Sequence, residues 1–459
     1  MSVLANIPYA NWLNAGDNAW QLVAATLVGL MSIPAIAVLY GGLIQKKWIV
    51  NTMLMVFTGF SLTLVVWVLW GYNMAFGTAA HLGGNDFFNN LVGVPHTLLS
   101  AASSQGQAVS DTNTVVPFHF PTATLAYFQF AFAAITPLLF LGGLIGRLKF
   151  KAWLFIVPAW ITLVYCVNAK LMWGGGFFGL KGAVDFAGGF VIHLSAGVAA
   201  FVGAAIIGPR IRRDRTSVPS NMMMVAIGAG ILWLGWNGFN GGAPYYAGAD
   251  TASAVLNTNL ATAVALLTWL AFDMLFTRQK KPTFLGAING MICGLVGITP
   301  SAGFVNALGA IGVGFLCSAI VWVAWNYLSK IKPFSQVDDA LGVVFTHGIA
   351  GLVGGLLIGL FADPKMAVYL TDDGKSAAFS VGGWFYTHSF HQLWEQFIAA
   401  AWVIGYTAVG TALVFYVAKL LVRGLREKDE ALEVGDLAIH DEEAFPAETF
   451  AERVSSLTR

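Results

Sequence analysis

The sequence predicts an all-α polytopic membrane protein of eleven transmembrane helices, with its N-terminus outside and its C-terminus inside. Three observations carry this. Of 459 residues, 57% are apolar and only 10% charged, with a mean hydropathy of +0.71, whereas a soluble domain carries about 25% charge. The uncharged runs have the length of about 20 residues that a helix needs to cross hydrocarbon. The basic residues cluster in alternate loops. With 24 Lys plus Arg against 23 Asp plus Glu, a net charge of +1 excludes a basic nucleic-acid binder, and the apolar share excludes a disordered chain.

The runs fall near 20–43, 49–77, 123–146, 152–169, 185–208, 219–240, 254–276, 283–302, 304–328, 340–362 and 394–419. The eighth and ninth form one stretch too long for a single span, and Thr299-Pro300-Ser301-Ala302-Gly303 is its natural break. No Lys or Arg precedes Lys46, so the charged start of a cleavable signal is missing and the first run is expected to remain as a span. Cys166, Cys293 and Cys317 lie in apolar stretches without a CxxC motif and read as packing residues, with no disulfide framework and no metal site.

An odd span count puts the termini on opposite sides. With the N-terminus outside, the inner loops and tail hold 20 of the 24 basic residues, leaving Lys170, Lys181, Lys365 and Lys375 outside. The outer loops 78–122 and 363–393 are rich in Gly, Asn, Ser and aromatics and read as a solvated cap or as part of the path. Residues 1–423 are thus expected to form the membrane domain. Residues 424–459, where acidic residues accumulate from Glu427 to Glu443, form a cytoplasmic tail, either solvated or a docking surface.

A charge in the bilayer costs about 2.5–3.5 kcal/mol on insertion scales, so each polar residue in a span asks for a reason. Asp185 opens the fifth run, eight residues before His193, and His347 sits inside the tenth. One buried histidine reads equally well as a neutral imidazole bonded to a carbonyl. Two of them, in the fifth and tenth spans, occupy equivalent positions if spans 1–5 and 6–10 are inverted repeats, whose sites lie at the repeat interface. A proton or small-solute path and a bis-histidine haem are the competing readings. Phe132, Trp173, Trp236 and Phe239 all lie toward the outer ends of their spans, as interfacial aromatics or as a cluster around a cation.

The run from Asp185 to Arg210 (DFAGGFVIHLSAGVAAFVGAAIIGPR) resembles the signature of the Amt/Mep ammonium transporter family. Leu39-Tyr40-Gly41-Gly42-Leu43, Phe132-Ala133-Ala134-Ile135-Thr136, Met172-Trp173-Gly174-Gly175-Gly176, Gly235-Trp236-Asn237-Gly238-Phe239-Asn240 and Thr346-His347-Gly348 are similar to family motifs in family order, and so is the tail element 435–445. The likeness spans the chain and leans toward the Mep and plant second-branch type. It implies a homotrimer in the plasma or inner membrane, each protomer a transporter and not an enzyme, needing no cofactor. Its substrate would be ammonium, with methylammonium as an analogue, and a PII-type regulator would dock on the tail. Motif by motif, Phe132 and Trp173 match the outer recruitment site, Phe132 and Phe239 the gate, His193 and His347 the twin histidines of the pore, and Asp185 the supporting acid beneath the recruitment site. Three residues depart from the pattern. Ala243 replaces a serine of the outer site, Gly342 stands where many members have an aspartate, and Lys170 stands where no cation is expected, either repelling cations from the mouth or reaching the headgroups. An ammonium sensor signalling through the tail is the alternative function.

Overall fold

The computed structural model describes residues 12–109, 118–216, 218–366, 368–370 and 377–446. Among the described residues, ten helices are long and apolar enough to cross a membrane by length and composition: α1 (Ala15–Leu43), α2 (Lys46–Phe76), α3 (Thr122–Leu141), α4 (Phe150–Leu180), α5 (Gly189–Ile207), α6 (Met222–Gly241), α7 (Ala249–Phe276), α9 (Ala307–Lys330), α10 (Val344–Phe361) and α11 (His391–Leu421). The eighth expected span is shorter than its apolar run. Helix α8 covers Phe284–Ile298, and its 15 residues rise about 22 Å against a hydrocarbon core of about 30 Å. Pro300 has no N–H with which to continue the ladder. The chain turns through 299–305 until the Asn306 side chain accepts the Gly309 N–H at 3.0 Å and starts α9.

Helix α3 is apolar on every face and 94% buried, against 33% for α7 and α11. A helix hydrophobic all round belongs inside, and α3 is the central column, whereas α7 and α11 turn leucines such as Leu267 and Leu413 outward. Helices α5 and α10 meet at glycine: a Cβ on Gly197 would overlap the Gly348 backbone. Small residues let two backbones approach this closely, and the crossing lies four residues past His193 and one past His347. In loop 363–393, β1 (Val368–Leu370) pairs antiparallel with β2 (Ala377–Phe379).

One end of the bundle gathers the basic loops. Arg147 is fully buried and donates to the carbonyls of Gly208 at 2.8 Å and Asp338 at 2.6 Å. Arg210 clasps the Asp338 carboxylate through Nε at 3.0 Å and Nη2 at 2.7 Å. The tail is docked on the same end up to residue 446. Two short helices, α12 (Asp429–Val434) and α13 (Asp436–His440), bring the Asp436 carboxylate to the N–H groups of Val50 at 2.7 Å and Asn51 at 2.9 Å. Lys47 donates to the Leu432 carbonyl at 2.7 Å, and Arg213 pairs with Glu433 at 2.8 Å. The described part of the tail thus packs on the bundle, for a physical reason: the Asp436 carboxylate satisfies helix-start N–H groups that have no intrahelical acceptor.

Burial alone would raise the Asp338 carboxyl, but the hydrogen bonds and charge of Arg210, with Arg147 behind, hold it down at about 2. A carboxyl whose folded value is depressed stabilises the fold fully above about pH 4, and that contribution is lost as pH falls through the folded value. Exchange of the Arg210 amide, which donates to Asp338 at 2.7 Å, is therefore expected to speed up between pH 4 and pH 2 beyond the intrinsic trend. The Asp338→Asn variant should show fast exchange at pH 5 already. Equal protection in the two proteins at pH 5 would refute the clasp.

Candidate functional site

The site is built where α5 begins. The carbonyls of Thr299 and Pro300, freed by the break after α8, accept the N–H groups of Ala187 at 3.2 Å and Phe186 at 3.0 Å. This fixes the turn that carries Asp185. The carboxylate then takes four backbone donors: Oδ1 accepts from Gly188 at 3.0 Å and Gly189 at 2.6 Å, and Oδ2 from Phe190 at 2.9 Å and Val191 at 3.0 Å. Asp185 thus lies before α5 and caps it. The backbone of Asp185 also accepts the Trp173 indole N–H at 2.7 Å, which ties the end of the first part of α4 to the start of α5.

From Trp173 a series of rings leads inward. The Trp173 and Phe132 centroids are 6.3 Å apart, edge to face, and Phe132 stacks on Phe239 at 4.3 Å and 26°. Phe239 is 5.8 Å from the His193 ring, and His193 is 5.3 Å from His347, nearly parallel at 26°. Trp236 stacks on His193 at 5.4 Å, its own N–H donated to Thr299 at 2.8 Å. The two Nδ1 atoms of His193 and His347 are 3.2 Å apart, so one ring carries hydrogen on Nδ1 and the other accepts there. This contact is a direct hydrogen bond between the two rings. Among the described residues, His193 Nε2 is buried without a partner. A cavity of about 50 Å³ continues past His347, lined mainly by apolar side chains such as Leu39, Ile135 and Val343.

Trp173, Phe132, Phe239, His193 and His347 lie in this column, with Trp236 beside His193. Ala243 is buried just past α6, with no polar side-chain atom to offer. Lys170 differs from both expectations: it is fully buried, and its ammonium donates to the Gly77 carbonyl at 2.7 Å, holding the end of α2 instead of facing the mouth or the headgroups. Gly342 has a local reason. Its φ of +75 lies in the left-handed region that favours glycine, and a Cβ there would overlap the Trp325 ring.

Asp339 was not singled out from the sequence, yet it repeats the role of Asp185. Its carboxylate accepts from Val343 at 3.1 Å and Val344 at 2.8 Å. Asp185-x-x-Gly188 and Asp339-x-x-Gly342 each precede their histidine by eight residues counted from the aspartate, and Gly188 is also left-handed, with φ +113. Each histidine then lies in a π-helical turn, Gly189–Leu194 or Val344–Ile349, a local widening frequent at functional sites.

Fold and site together define a helical multi-pass membrane protein with an aromatic-to-imidazole column through its centre. The chain belongs to the Ammonium Transporter Family, whose model matches residues 19–445. It is 44% identical to Ammonium transporter 3 member 2 of Oryza sativa subsp. japonica over 449 residues, covering 95% of this chain and 91% of that one. To Ammonium transporter 2 of Arabidopsis thaliana it is 42% identical over 440 residues, covering 95% and 89%. The crystal structure of Candida albicans Mep2 superposes with a TM-score of 0.78 at 28% identity, covering 93% of this chain and 89% of that one. These likenesses agree with the expected lean toward the Mep and plant type.

Proposed function

We propose that this chain moves ammonium across a cell membrane by recruiting the ion outside, removing its proton and conducting ammonia past His193 and His347. The observation that carries this reading is the unbroken ring column from Trp173 through Phe132 and Phe239 to the histidine pair. Trp173 and Phe132 form the recruitment site, Phe132 and Phe239 the gate, and Asp185 supports both from behind. Magnitudes favour deprotonation. An intact ion in an apolar pore faces an idealised Born cost of order 20 kcal/mol. Losing a proton from an amine with pKa of roughly 9 at pH 7 costs about 3 kcal/mol. The unpartnered His193 Nε2 offers ammonia a hydrogen-bonding atom in an otherwise apolar column, and the proton is proposed to follow by its own relay.

The reading sets eleven spans with the N-terminus outside, since the loops bearing most of the basic residues gather at one end with the tail. Residues 1–423 form the transporting domain, with one path per protomer of a homotrimer, and residues 424–459 form the regulatory tail. That tail is the proposed docking surface for a PII-family regulator. Transport is tested by growth of an ammonium-uptake-deficient strain on low ammonium. The wild type is expected to rescue growth, and the purified protein to give ammonium-evoked current on a supported membrane. Failure of a well-expressed wild type to rescue favours the sensor; rescue with no current removes proton coupling alone.

A further inference from the structure

The recruitment site as read so far consists of rings alone, because Ala243 offers no oxygen. Gln129 lies one helical turn from Phe132 on α3, on the same face, and is 2% exposed. Its Nε2 donates to the Tyr245 hydroxyl at 2.8 Å, while its Oε1, equally buried, has no hydrogen-bond partner among the described residues. Phe128, also on this face, packs on Phe132 at 4.6 Å and on Tyr245 at 6.1 Å. An amide oxygen enclosed by rings without a donor is costly. Since no described residue donates to this oxygen, a small donor entering from solution can satisfy it.

Tyr245 is placed as a fixed anchor. It is held in the left-handed region, φ +66, which a bulky residue enters only when its surroundings impose it. Its ring is walled by Phe118 at 5.2 Å and stacked on Tyr369 at 6.3 Å. The hydroxyl therefore holds the amide nitrogen of Gln129 and leaves the oxygen for another group. Ammonium carries four N–H donors and no acceptor, so one oxygen beside π faces matches it.

We infer that Gln129 Oε1 is the hydrogen-bond acceptor for ammonium at the outer site, oriented by Tyr245, and supplies what Ala243 lacks. This rests on the transport reading above and adds a specificity-determining residue to it. The reverse orientation of the amide would turn N–H donors toward the cation and repel it, so the sign of the effect is itself a test.

The experiment is ammonium uptake by full-length protein in proteoliposomes as a function of ammonium concentration, with Gln129→Leu and Tyr245→Phe each made alone and together with Ala243→Ser. Gln129→Leu is expected to raise the half-saturating concentration about tenfold, as for one charge-assisted hydrogen bond, with a smaller change in maximal rate. Tyr245→Phe keeps the ring packing and releases only the amide, for a rise of about threefold. Adding Ala243→Ser should recover much of both losses by restoring an oxygen, a rescue that a packing role for Gln129 does not give. An unchanged or lowered half-saturation in Gln129→Leu overturns the inference. If that variant does not assemble, an unchanged value in Tyr245→Phe does so. Absence of uptake by the wild type refutes the transport reading, whereas normal wild-type uptake with unaltered variants refutes only the role of Gln129.

Discussion

Asp185→Asn is expected to remove transport chiefly by removing folded protein. The carboxylate accepts four backbone N–H groups, two on each oxygen, and these open α5, where no intrahelical acceptor exists. An asparagine keeps one oxygen and turns an NH2 group toward the two donors formerly served by the other. Two hydrogen bonds to a charged acceptor are lost at about 1.5–3 kcal/mol each, and two buried donors stay unsatisfied. A loss of about 3–6 kcal/mol is large against a net stability of roughly 5–15 kcal/mol. The same residue holds Trp173 through its backbone carbonyl, so displacement of the turn also loosens the outer site. The equivalent Asp339→Asn breaks fewer contacts, since its carboxylate accepts only two N–H groups, and should cost about half as much. The check is the yield of monodisperse protein and its midpoint of thermal unfolding, compared across the two variants. Wild-type yield and midpoint for Asp185→Asn would show that the cap is dispensable.

The comparison of the two aspartates also shows what the sequence discloses and what it hides. Spans, basic loops and the two histidines are legible because they rest on composition and on single costly residues: an imidazole in an apolar run stands out whatever surrounds it. The second cap was legible in principle, since Asp339-x-x-Gly342 stands before His347 as Asp185-x-x-Gly188 stands before His193. It is hard to notice because Asp339 follows Asp338, whose carboxylate serves Arg210, and adjacent carboxylates look alike in a string. Gly342 looked like a missing aspartate, whereas its φ of +75 makes it part of the turn. Lys170 could not be read at all: its acceptor, the Gly77 carbonyl, is 93 residues away, and backbone carbonyls leave no mark in a sequence. The end of α8 is legible in part, since Pro300 marks the break. A run of apolar residues does not reveal that the carbonyls of Thr299 and Pro300 are spent on the turn before α5.

Replacement of the histidine pair by leucine should separate stability from transport. His193 and His347 share one hydrogen bond at 3.2 Å, and His193 is further packed between Trp236 and His347. Either single leucine leaves the remaining Nδ1 buried without its partner, a penalty of about 1–3 kcal/mol. Replacing both removes the unsatisfied atom, so the double variant is expected to be at least as stable as the weaker single one. Transport should behave otherwise. On the proposed path, ammonia loses a hydrogen-bonding line as soon as one ring is gone, because the other is then free to turn away. Each single variant should lower ammonium uptake about tenfold, the worth of a lost hydrogen bond near the upper end of the neutral range. The double variant should fall no further than the lower single one, since groups acting as a unit are not additive. The measurements are initial uptake rates in proteoliposomes and thermal midpoints for the four proteins. A double variant whose loss equals the product of the single losses would mean that the rings act independently. Single variants with wild-type rates would mean that the aromatic gate, and not the imidazoles, limits passage. The expected combination, stability recovered while transport stays low, is one that a purely structural histidine pair cannot produce, because there both quantities would recover together.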